Sequence, residues 1–358
     1  MSGATPLRLA LVGDGQSPHL LKWARALVAA GVDVWAASSR GFVAGFDGVV
    51  PPAQRLALAT KPRFEGGNIA LLRTLPRLAL WLRHVRPDWV HAHYLTSHGT
   101  LAWLAMGLFG APGRLVGSAW GSDVLVTPQR GKAWRWVTSK VLGACAISTS
   151  DSQVMAARMR ELGAREVMVF PFGLEAMPPL PGPKDEGQFF ANRGLEPIYA
   201  PERVLAQFVE LAGPEGRLMV ANEGSLRPAL LRQAAALGVA DRVDFVGRLD
   251  ATAQACAYAR ARWYLSLPGS DSVSVSVLEA MAHGCVPILS DLPANRELVR
   301  DGLNGLIVPA TGLLPRAAVV AFAAQADAAA AHNRQWVQQH ALFAPCVAAF
   351  VARLRQLA

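Results

Sequence analysis

Two acidic residues near the start of a predicted helix form the most informative chemical group in the sequence. Asp271 and Glu279 are separated by seven residues in the stretch SDSVSVSVLEAMA, and the pattern predicts a helix that starts between Ser274 and Ser276. Asp271 then lies in the loop before the helix, and Glu279 about one turn inside it. The free N–H groups of a helix N-terminus favour an anion, and carboxylates accept hydrogen bonds from sugar hydroxyls. The pair therefore suits a ligand that carries both phosphate and sugar.

A structural interpretation of the same spacing stays open. Ser276 and Glu279 also fit a capping box, in which a Ser and a Glu three residues later satisfy backbone N–H groups at a helix start. An acidic residue in a first helical turn is common for electrostatic reasons. Spacing alone therefore does not separate a ligand site from a helix cap.

A second candidate is the opening turn VGDGQSPH, in which Gly13 and Gly15 follow an apolar run and precede a helical pattern. Such a turn lets a ligand approach the backbone and points helix N–H groups at an anion. The dinucleotide fingerprint G-x-G-x-x-G is incomplete, because Pro18 stands where its third glycine is required. A tight turn without a ligand explains these glycines equally well.

Three histidines, His91, His93 and His98, cluster in VHAHYLTSH at the end of a predicted strand. No acidic partner stands nearby, so we predict no metal site. We expect His93 or His98 to line the pocket of an acceptor substrate. A buried structural histidine is the alternative.

The elements that position these residues follow an α/β pattern. Short apolar runs alternate with stretches of helical period, which is typical of parallel βαβ units. We predict two Rossmann-like doubly wound domains facing a central cleft, because ligands bind beyond the carboxyl ends of the strands in such sheets. The break MPPLPGPKDEG has four prolines and two glycines in eleven residues, which disfavours regular structure.

We accordingly predict a first domain over residues 1–176, a linker over 177–187, a second domain over 188–340, and a closing helix over 341–358 that packs back on the first domain. The predicted strands are residues 7–12, 32–37, 88–93, 114–118, 166–170, 188–192, 216–221, 242–246, 263–267, 286–289 and 306–308. Helical patterns include residues 18–30, 317–331 and 333–357.

Composition predicts a packed protein of two domains. Of the 358 residues, 52% are hydrophobic and 17% are charged, which excludes disorder as the dominant state. Lys and Arg number 35 against 26 Asp and Glu, and this net charge of +9 suits an anionic substrate, an acidic membrane surface or nucleic acid. No helix-turn-helix, RNA-recognition or zinc signature is visible, so we expect no nucleic-acid partner.

Cysteine usage and the start of the chain favour a cytoplasmic protein. The four cysteines are widely separated and lack ligand spacing, which argues against a disulfide framework and a structural zinc. The N-terminal sequence lacks the features of a signal peptide. The most apolar window holds about a dozen residues, short of the roughly 20 that a membrane-spanning helix requires.

One segment, residues 71–87 with the sequence LLRTLPRLALWLRHVRP, mixes arginines with leucines and a tryptophan. This composition fits a helix that rests on an anionic membrane, such as the inner face of the plasma membrane. An ordinary amphipathic helix packed on the sheet fits the same pattern.

The stretch over residues 270–308 resembles the donor-binding motif of family-4 glycosyltransferases, which are retaining enzymes of the GT-B fold. The family pattern is an acid, seven residues, a Glu in an EAMA-type helix, a G-x-P-V/I strand and a DGxNGxLV tail. Here these parts read Asp271, LEAMA, GCVPI and DGLNGLIV. A weaker resemblance covers nearly the whole chain, including PDWVHAHYLTSHG, SAWGSDVL and VFPFGLE. It is typical of enzymes of bacterial envelope or exopolysaccharide assembly.

This resemblance implies a nucleotide-sugar as donor substrate, without a cofactor or metal. Glu279 would hold the ribose hydroxyls and Asp271 would face the donor sugar. Arg193, in FFANRGLEP, matches the arginine that neutralises the donor diphosphate, and Gly13 and Gly15 match the loop near the reacting centre. The remaining implied donor contacts are Val273, Ser274, Val275 and Ser276. Asp271 and Arg193 are the implied catalytic residues.

The sequence departs from the family pattern at three places. Asp271 replaces the usual Glu and is one methylene shorter. Ile198 and Tyr199 stand where a lysine often supplies a second phosphate counter-charge. The first-domain loop that often carries a histidine reads Trp120, Gly121, Ser122, Asp123, so Trp120 and Asp123 are expected to bind the acceptor instead.

The resemblance therefore predicts a hexosyltransferase that moves a sugar to a glycan or lipid-linked acceptor. A non-catalytic sugar-binding or scaffold protein of the same fold is an alternative, since all three departures touch donor or acceptor chemistry. A nicotinamide-dependent oxidoreductase shares the opening turn. It fits worse, because the second predicted strand ends in Ala37, Ser38 and Ser39 rather than in an acid.

Overall fold

The computed structural model describes residues 6–60 and 69–357. The chain divides into two compact units, one of Met1–Phe170 with Phe343–Ala358 and one of Pro171–Leu342. Each unit is built on its own parallel sheet. Within the two described ranges, no helix has both the length and the apolar character needed to cross a bilayer.

The described residues of the first unit form seven strands and, before the closing helix, six α-helices. The strands are β1 (Arg8–Gly13), β2 (Asp33–Ser38), β3 (Arg55–Ala57), β4 (Trp89–His93), β5 (Arg114–Ser118), β6 (Ile147–Ser150) and β7 (Val167–Val169). The helices are α1 (Pro18–Ala29), α2 (Leu75–Val85), α3 (Thr100–Phe109), α4 (Ser122–Leu125), α5 (Lys132–Ala144) and α6 (Gln153–Glu161). The strand order is β3-β2-β1-β4-β5-β6-β7.

The second unit contains six strands and seven α-helices. The strands are β8 (Asp185–Ala191), β9 (Arg217–Ala221), β10 (Val243–Gly247), β11 (Ala261–Ser266), β12 (Val286–Ser290) and β13 (Leu306–Val308). The helices are α7 (Pro201–Leu211), α8 (Arg227–Ala236), α9 (Ala251–Arg260), α10 (Val275–Ala282), α11 (Pro293–Leu298), α12 (Arg316–Ala323) and α13 (Ala326–His340). The strand order is β10-β9-β8-β11-β12-β13.

Both sheets have the doubly wound arrangement. Strand order reverses between β1 and β4 in the first unit and between β8 and β11 in the second. These reversals are the switch points at which such sheets bind ligands, because the loops after the two central strands diverge there. The predicted fold class of two Rossmann-like domains is confirmed.

The closing helix α14 (Phe343–Leu357) belongs to the first unit. The Phe350 ring packs on Trp23 of α1 with a centroid distance of 5.5 Å. Arg353 Nε donates to Glu166 Oε1 at 2.7 Å. An apolar contact and an ion pair thus hold the end of the chain on the first sheet.

Three features differ from the sequence analysis. The predicted helix 333–357 is interrupted between His340 and Phe343, where Ala341 O accepts a hydrogen bond from Leu174 N at 2.9 Å. This bond ties the segment after Phe170 to the second unit, so that unit starts at Pro171 rather than after residue 176. The strand β8 begins at Asp185, inside the predicted linker.

Candidate active site

The second unit brings its predicted site residues together at the switch point. Arg193 lies two residues beyond β8, and Asp271 lies in the loop beyond β11. The strands β8 and β11 are hydrogen-bonded neighbours, so the two loops leave the same edge of the sheet side by side. Residues 78 positions apart in the chain therefore become neighbours.

Arg193 is the centre of this group. Its Nη2 atom donates to Asp271 Oδ2 at 2.7 Å, and its Nη1 atom donates to Ser274 Oγ. Its guanidinium carbon lies 4.4 Å from the centroid of the Tyr199 ring, within the range of a cation–π contact. The buried Nε atom has no hydrogen-bond partner among the residues that the structure describes. Tyr199 stands at a position where the family often has its lysine, and here it supports the arginine.

Asp271 is held by Arg193 and by its own loop. Only 19% of its side chain is exposed, and Ser272 N donates to its Oδ1 atom at 3.0 Å. Burial raises the pKa of Asp271, whereas the Arg193 guanidinium and the Ser272 amide act in the opposite direction. The pair is thus a nearly buried ion pair at the end of the central strands.

The helix α10 starts where the spacing predicted. Ser274 is its N-cap residue, Val275 its first residue, and Glu279 lies about one turn inside. The Ser274 side chain makes no cap hydrogen bond but accepts from Arg193. Val273 is buried and Ser276 half-buried. The position of the helix relative to both acids is confirmed.

Glu279 contacts two side chains of the preceding helix α9. Its Oε2 atom accepts from Tyr258 Oη at 3.0 Å and from Gln254 Nε2 at 3.3 Å. Because the N-cap is Ser274 and not Ser276, the capping-box interpretation is wrong. Neither α9 residue was identified from the sequence, and no local motif marks them.

Gln254, which contacts Glu279, also lines a cavity of about 210 Å³. The other lining residues are Ala221, Asn222, Arg248 and Leu249. The second unit thus combines a guanidinium, a helix N-terminus, two carboxylates and an adjoining space.

In the first unit, the corresponding switch point is formed by Gly13 and His93, which end β1 and β4. A Cβ atom on Gly13 would lie 2.8 Å from Leu20 Cδ1 and 3.4 Å from His93 Cβ. A Cβ atom on Gly15 would lie 2.7 Å from the Gly41 carbonyl oxygen, and Gly15 N donates to Ser38 Oγ at 2.8 Å. Close packing explains both glycines, and their contact with a donor stays a prediction.

His93 and Trp120 lie close together, with ring centroids 5.8 Å apart. His93 is only 5% exposed, and its ring also packs on Trp23 and His91. Burial lowers the pKa of His93 well below its ordinary value, so the ring is neutral. His98, the alternative acceptor candidate, is buried and hydrogen-bonds through Nδ1 to the His93 carbonyl at 3.0 Å.

Asp123 is fully buried and organises the loop that carries Trp120. Its Oδ1 atom accepts from Trp120 N at 2.9 Å and its Oδ2 atom from Leu95 N at 2.8 Å. Burial raises the pKa of this carboxyl to about 6, against these backbone hydrogen bonds. Its carboxylate shapes the loop, whereas its contact with an acceptor stays a prediction.

Residues 6–60 and 69–357 contain no group of three or more His, Cys, Asp or Glu side chains placed to hold a metal ion.

Two family models match the chain. One is described as Glycosyl transferase 4-like and matches residues 8–148. The other is described as Glycosyl transferases group 1 and matches residues 196–330. The first match lies within the first unit and the second within the second unit.

Two curated relatives share part of the sequence. The GDP-mannose:cellobiosyl-diphosphopolyprenol alpha-mannosyltransferase of Xanthomonas campestris is 33% identical over 150 residues, which are 40% of this chain and 37% of that protein. The phosphatidyl-myo-inositol mannosyltransferase of Mycobacterium leprae (strain TN) is 36% identical over 74 residues, 20% of each chain. The aligned segments thus span well under two thirds of either relative.

Solved structures share the fold over the full length. The crystal structure of Anabaena HepE in complex with UDP-glucose has a TM-score of 0.78 at 14% sequence identity, and the match covers 98% of this chain and 100% of that one. This likeness, at low identity, concerns the fold alone.

Proposed function

Since this chain belongs to the family-4 glycosyltransferases of the GT-B fold, we propose that it transfers a hexose from a nucleotide-sugar to a hydroxyl of a glycan or lipid-linked acceptor. The observation that carries the proposal is the grouping of Arg193, Asp271 and Glu279 around the N-terminus of α10. We propose further that the reaction proceeds with retention and without a metal or cofactor.

The leaving diphosphate is the part of the donor that this site is suited to bind. Glycosyl transfer passes through an oxocarbenium-like state in which the leaving group gains negative charge. Arg193 offers a fixed fork of N–H donors to phosphate, and the first N–H groups of α10 add a positive partial charge. These groups would stabilise the diphosphate as it departs.

The two carboxylates would bind the rest of the donor. Glu279 accepts hydrogen bonds from the ribose hydroxyls, and Asp271 faces the sugar. The bond from the anomeric carbon to the diphosphate oxygen breaks as a bond to the acceptor oxygen forms. In the proposed retaining reaction, the acceptor proton passes to the leaving diphosphate oxygen, and no side chain is assigned as general base.

Nucleotide binding tests the site directly. Thermal shift with UDP, GDP and ADP, each with its hexose conjugate, should identify a stabilising nucleotide. Glu279→Gln should lose that stabilisation. The matched control is Glu215→Gln, which should keep the stabilisation. Glu215 is exposed and precedes β9, so it lies at the amino ends of the strands, whereas the site residues follow the carboxyl ends. Equal stabilisation of wild type and Glu279→Gln would overturn the assignment.

Turnover separates an enzyme from a sugar-binding scaffold. GDP-mannose is the first donor to test, because the Xanthomonas relative is named for it, and both curated relatives are named mannosyltransferases. Their names also include the lipid groups phosphatidyl-myo-inositol and diphosphopolyprenol, which favours lipid-linked acceptors in the screen. Release of nucleoside diphosphate and a sugar mass on the acceptor support transfer. Binding without turnover on the whole panel supports a scaffold.

We also propose a peripheral contact with an anionic membrane through the first unit. Leu80 on α2, Leu108 on α3 and Trp136 on α5 are 65%, 71% and 56% exposed. These helices pack in sequence, α2 on α3 and α3 on α5. Exposed cations accompany the apolar side chains, namely Arg73, Arg77, Arg83, Lys132, Arg135 and Lys140. The opposite face of α2 packs in the core. Its burial therefore agrees both with a helix that rests on a membrane and with an ordinary amphipathic helix packed on the sheet.

Liposome flotation tests this contact. The double variant Leu80→Ser/Trp136→Ser should bind vesicles with anionic lipid several-fold more weakly than wild type, because it removes two exposed apolar side chains. Leu231→Ser, an exposed leucine on α8 of the second unit, is the matched control. Binding that does not depend on lipid charge would contradict the proposal.

A further inference from the structure

Glu279 is oriented by a hydrogen-bond relay that starts outside the predicted donor motif. Tyr258 Oη donates to Glu279 Oε2 at 3.0 Å, and Asn192 Nδ2 donates to Tyr258 Oη at 2.8 Å. Tyr264 Oη donates in turn to Asn192 Oδ1 at 2.7 Å. The relay runs from β11 through the residue after β8 to α9, and it ends on the carboxylate.

The direction of the relay follows from the acceptor at its end. The Tyr258 hydroxyl faces two acceptors on α10, the Glu279 carboxylate at 3.0 Å and the Ser276 carbonyl at 3.2 Å. It therefore donates its single proton towards α10, and the charged carboxylate is the nearer and stronger of the two acceptors. Tyr258 then needs a donor, which the Asn192 amide group supplies. The Asn192 oxygen is left to accept from Tyr264. The opposite amide orientation would place the Asn192 oxygen against a lone pair of the Tyr258 oxygen, whose proton is already donated towards α10.

The relay is shielded from water. Tyr258 and Tyr264 are 1% and 0% exposed, and Asn192 is 5% exposed. Burial, with the nearby Tyr264 and the negative charge of Glu279, raises the pKa of Tyr258 well above its ordinary value. The phenol therefore keeps its proton at neutral pH.

We propose that Tyr258 is a positioning residue that sets the Glu279 carboxylate for recognition of the ribose hydroxyls. The preference for a ribonucleotide over its deoxy analogue then depends on the Tyr258 hydroxyl. This inference rests on the proposed function, since it assumes that Glu279 binds ribose. Gln254 donates to the same oxygen at 3.3 Å and also helps to position the Glu279 carboxylate.

Calorimetry on the full chain tests the proposal with the nucleoside diphosphate that stabilises it best and with the 2′-deoxy and 3′-deoxy analogues. The measured quantity is the ratio of the deoxy to the ribo Kd. We expect Tyr258→Phe to reduce this ratio by about tenfold, the usual range for one hydrogen bond to a charged group. Tyr94→Phe, which loses a hydroxyl bonded to Ser122 in the first unit, should leave the ratio unchanged.

The outcomes separate this inference from the function it rests on. A purely structural role would lower the thermal midpoint of Tyr258→Phe without changing the ratio, and would overturn the positioning role. If Glu279→Gln loses the ribose preference while Tyr258→Phe keeps it, only the relay fails. If Glu279→Gln keeps the preference, the proposed function itself fails. Should Tyr258→Phe not fold, Tyr264→Phe tests the same relay, and an unchanged ratio there overturns it.

Discussion

Arg193 Nη2 and Asp271 Oδ2 lie 2.7 Å apart at the ends of two neighbouring strands, with 17% and 19% of their side chains exposed. The group expected to hold the donor diphosphate is thus paired with the group expected to face the donor sugar. Breaking such a pair from one side is costly, because the remaining charge stays buried without a partner. Removing both charges avoids that cost.

The pair should show strong coupling in a double-mutant cycle. Arg193→Gln and Asp271→Asn should each lower the free energy of unfolding by about 3 kcal/mol, since each leaves one buried charge. The double variant should lose clearly less than the sum of the two. Urea unfolding measures all four free energies, and additive losses would show that the ion pair is absent in solution.

The same two variants should separate binding from transfer. Arg193→Gln should weaken nucleoside diphosphate binding at least tenfold, on the order of one lost charged hydrogen bond, and leave nucleoside binding unchanged. Asp271→Asn should keep nucleoside diphosphate affinity but lower kcat for sugar transfer. Calorimetry and initial rates give both quantities. Equal loss of diphosphate affinity in both variants would contradict the division of roles.

Alanine substitution distinguishes packing from ligand contact in the opening turn. Gly15→Ala should lower the free energy of unfolding by about 2 to 3 kcal/mol, because the new Cβ meets the Gly41 carbonyl at 2.7 Å. Gly13→Ala should cost about 1 kcal/mol, because the Leu20 side chain that it meets at 2.8 Å can shift.

Gly48→Ala is the control for these two variants, since a Cβ there meets nothing within 4 Å. Denaturant midpoints give the comparison, and nucleotide affinity is measured on the same samples. If Gly13→Ala loses nucleotide affinity at unchanged stability, the glycine is needed for ligand approach rather than for packing.

Sequence alone predicted the motif helix and every strand of the two sheets except β3 and β6. The buried strands are mostly apolar runs, so their order along the chain could be predicted, and α10 begins at Val275 as its spacing indicated. The strand β6 was missed because its sequence is ISTS. Two of its hydroxyls find partners that only the fold supplies: Thr149 Oγ1 lies 2.6 Å from Ser118 Oγ, and Ser150 Oγ donates to the Ser152 carbonyl at 2.8 Å.

The candidate site, like the fold, could be predicted only in part from the sequence. Both members of the Arg193–Asp271 pair could be found by resemblance, but their contact could not, because it depends on which strands meet at the switch point. Tyr258 and Gln254 carry no motif, and they reach Glu279 across 21 and 25 residues of chain through the packing of α9 beside α10. Tertiary contacts of this kind leave no signal in a single sequence.

Lys184 holds the C-terminal ends of α9 and α10, the two helices that carry Tyr258 and Glu279 of the proposed donor site. It lies in the predicted linker, and its Nζ donates to the Tyr258 carbonyl at 2.8 Å and to the His283 carbonyl at 2.7 Å. Lys184→Met should lower the free energy of unfolding by about 2 kcal/mol, since two carbonyls lose a charged donor.

Hydrogen exchange reports this change by position. The amides at the ends of α9 and α10 should exchange faster in Lys184→Met, with a smaller change in Lys184→Arg, which keeps the charge. If these amides exchange at the same rate in wild type, Lys184→Met and Lys184→Arg, the lysine does not hold the ends of the two helices.

Acid should unfold the first unit through its buried histidines. Burial lowers the pKa of His91 to about 3 and that of His98 to about 4, whereas an unfolded chain titrates near 6.5. Below pH 6.5 these histidines therefore bind protons in the unfolded state but stay neutral in the folded state until the pH reaches their lower folded pKa values. Their stabilising contribution is complete above pH 6.5 and is lost as the pH falls towards the folded pKa values, by about 3 kcal/mol for each histidine at pH 4.

His98→Asn should therefore flatten the fall in stability between pH 6.5 and pH 4, because it removes one of these protonation sites. Its amide group can still donate to the His93 carbonyl, which His98 Nδ1 contacts at 3.0 Å in the native chain. Urea unfolding followed by tryptophan fluorescence at a series of pH values measures the slope. His332→Asn, at an exposed position on α13, is the control. If His98→Asn and wild type lose stability with the same slope, His98 is already protonated in the folded protein, and its burial does not make the fold acid-sensitive.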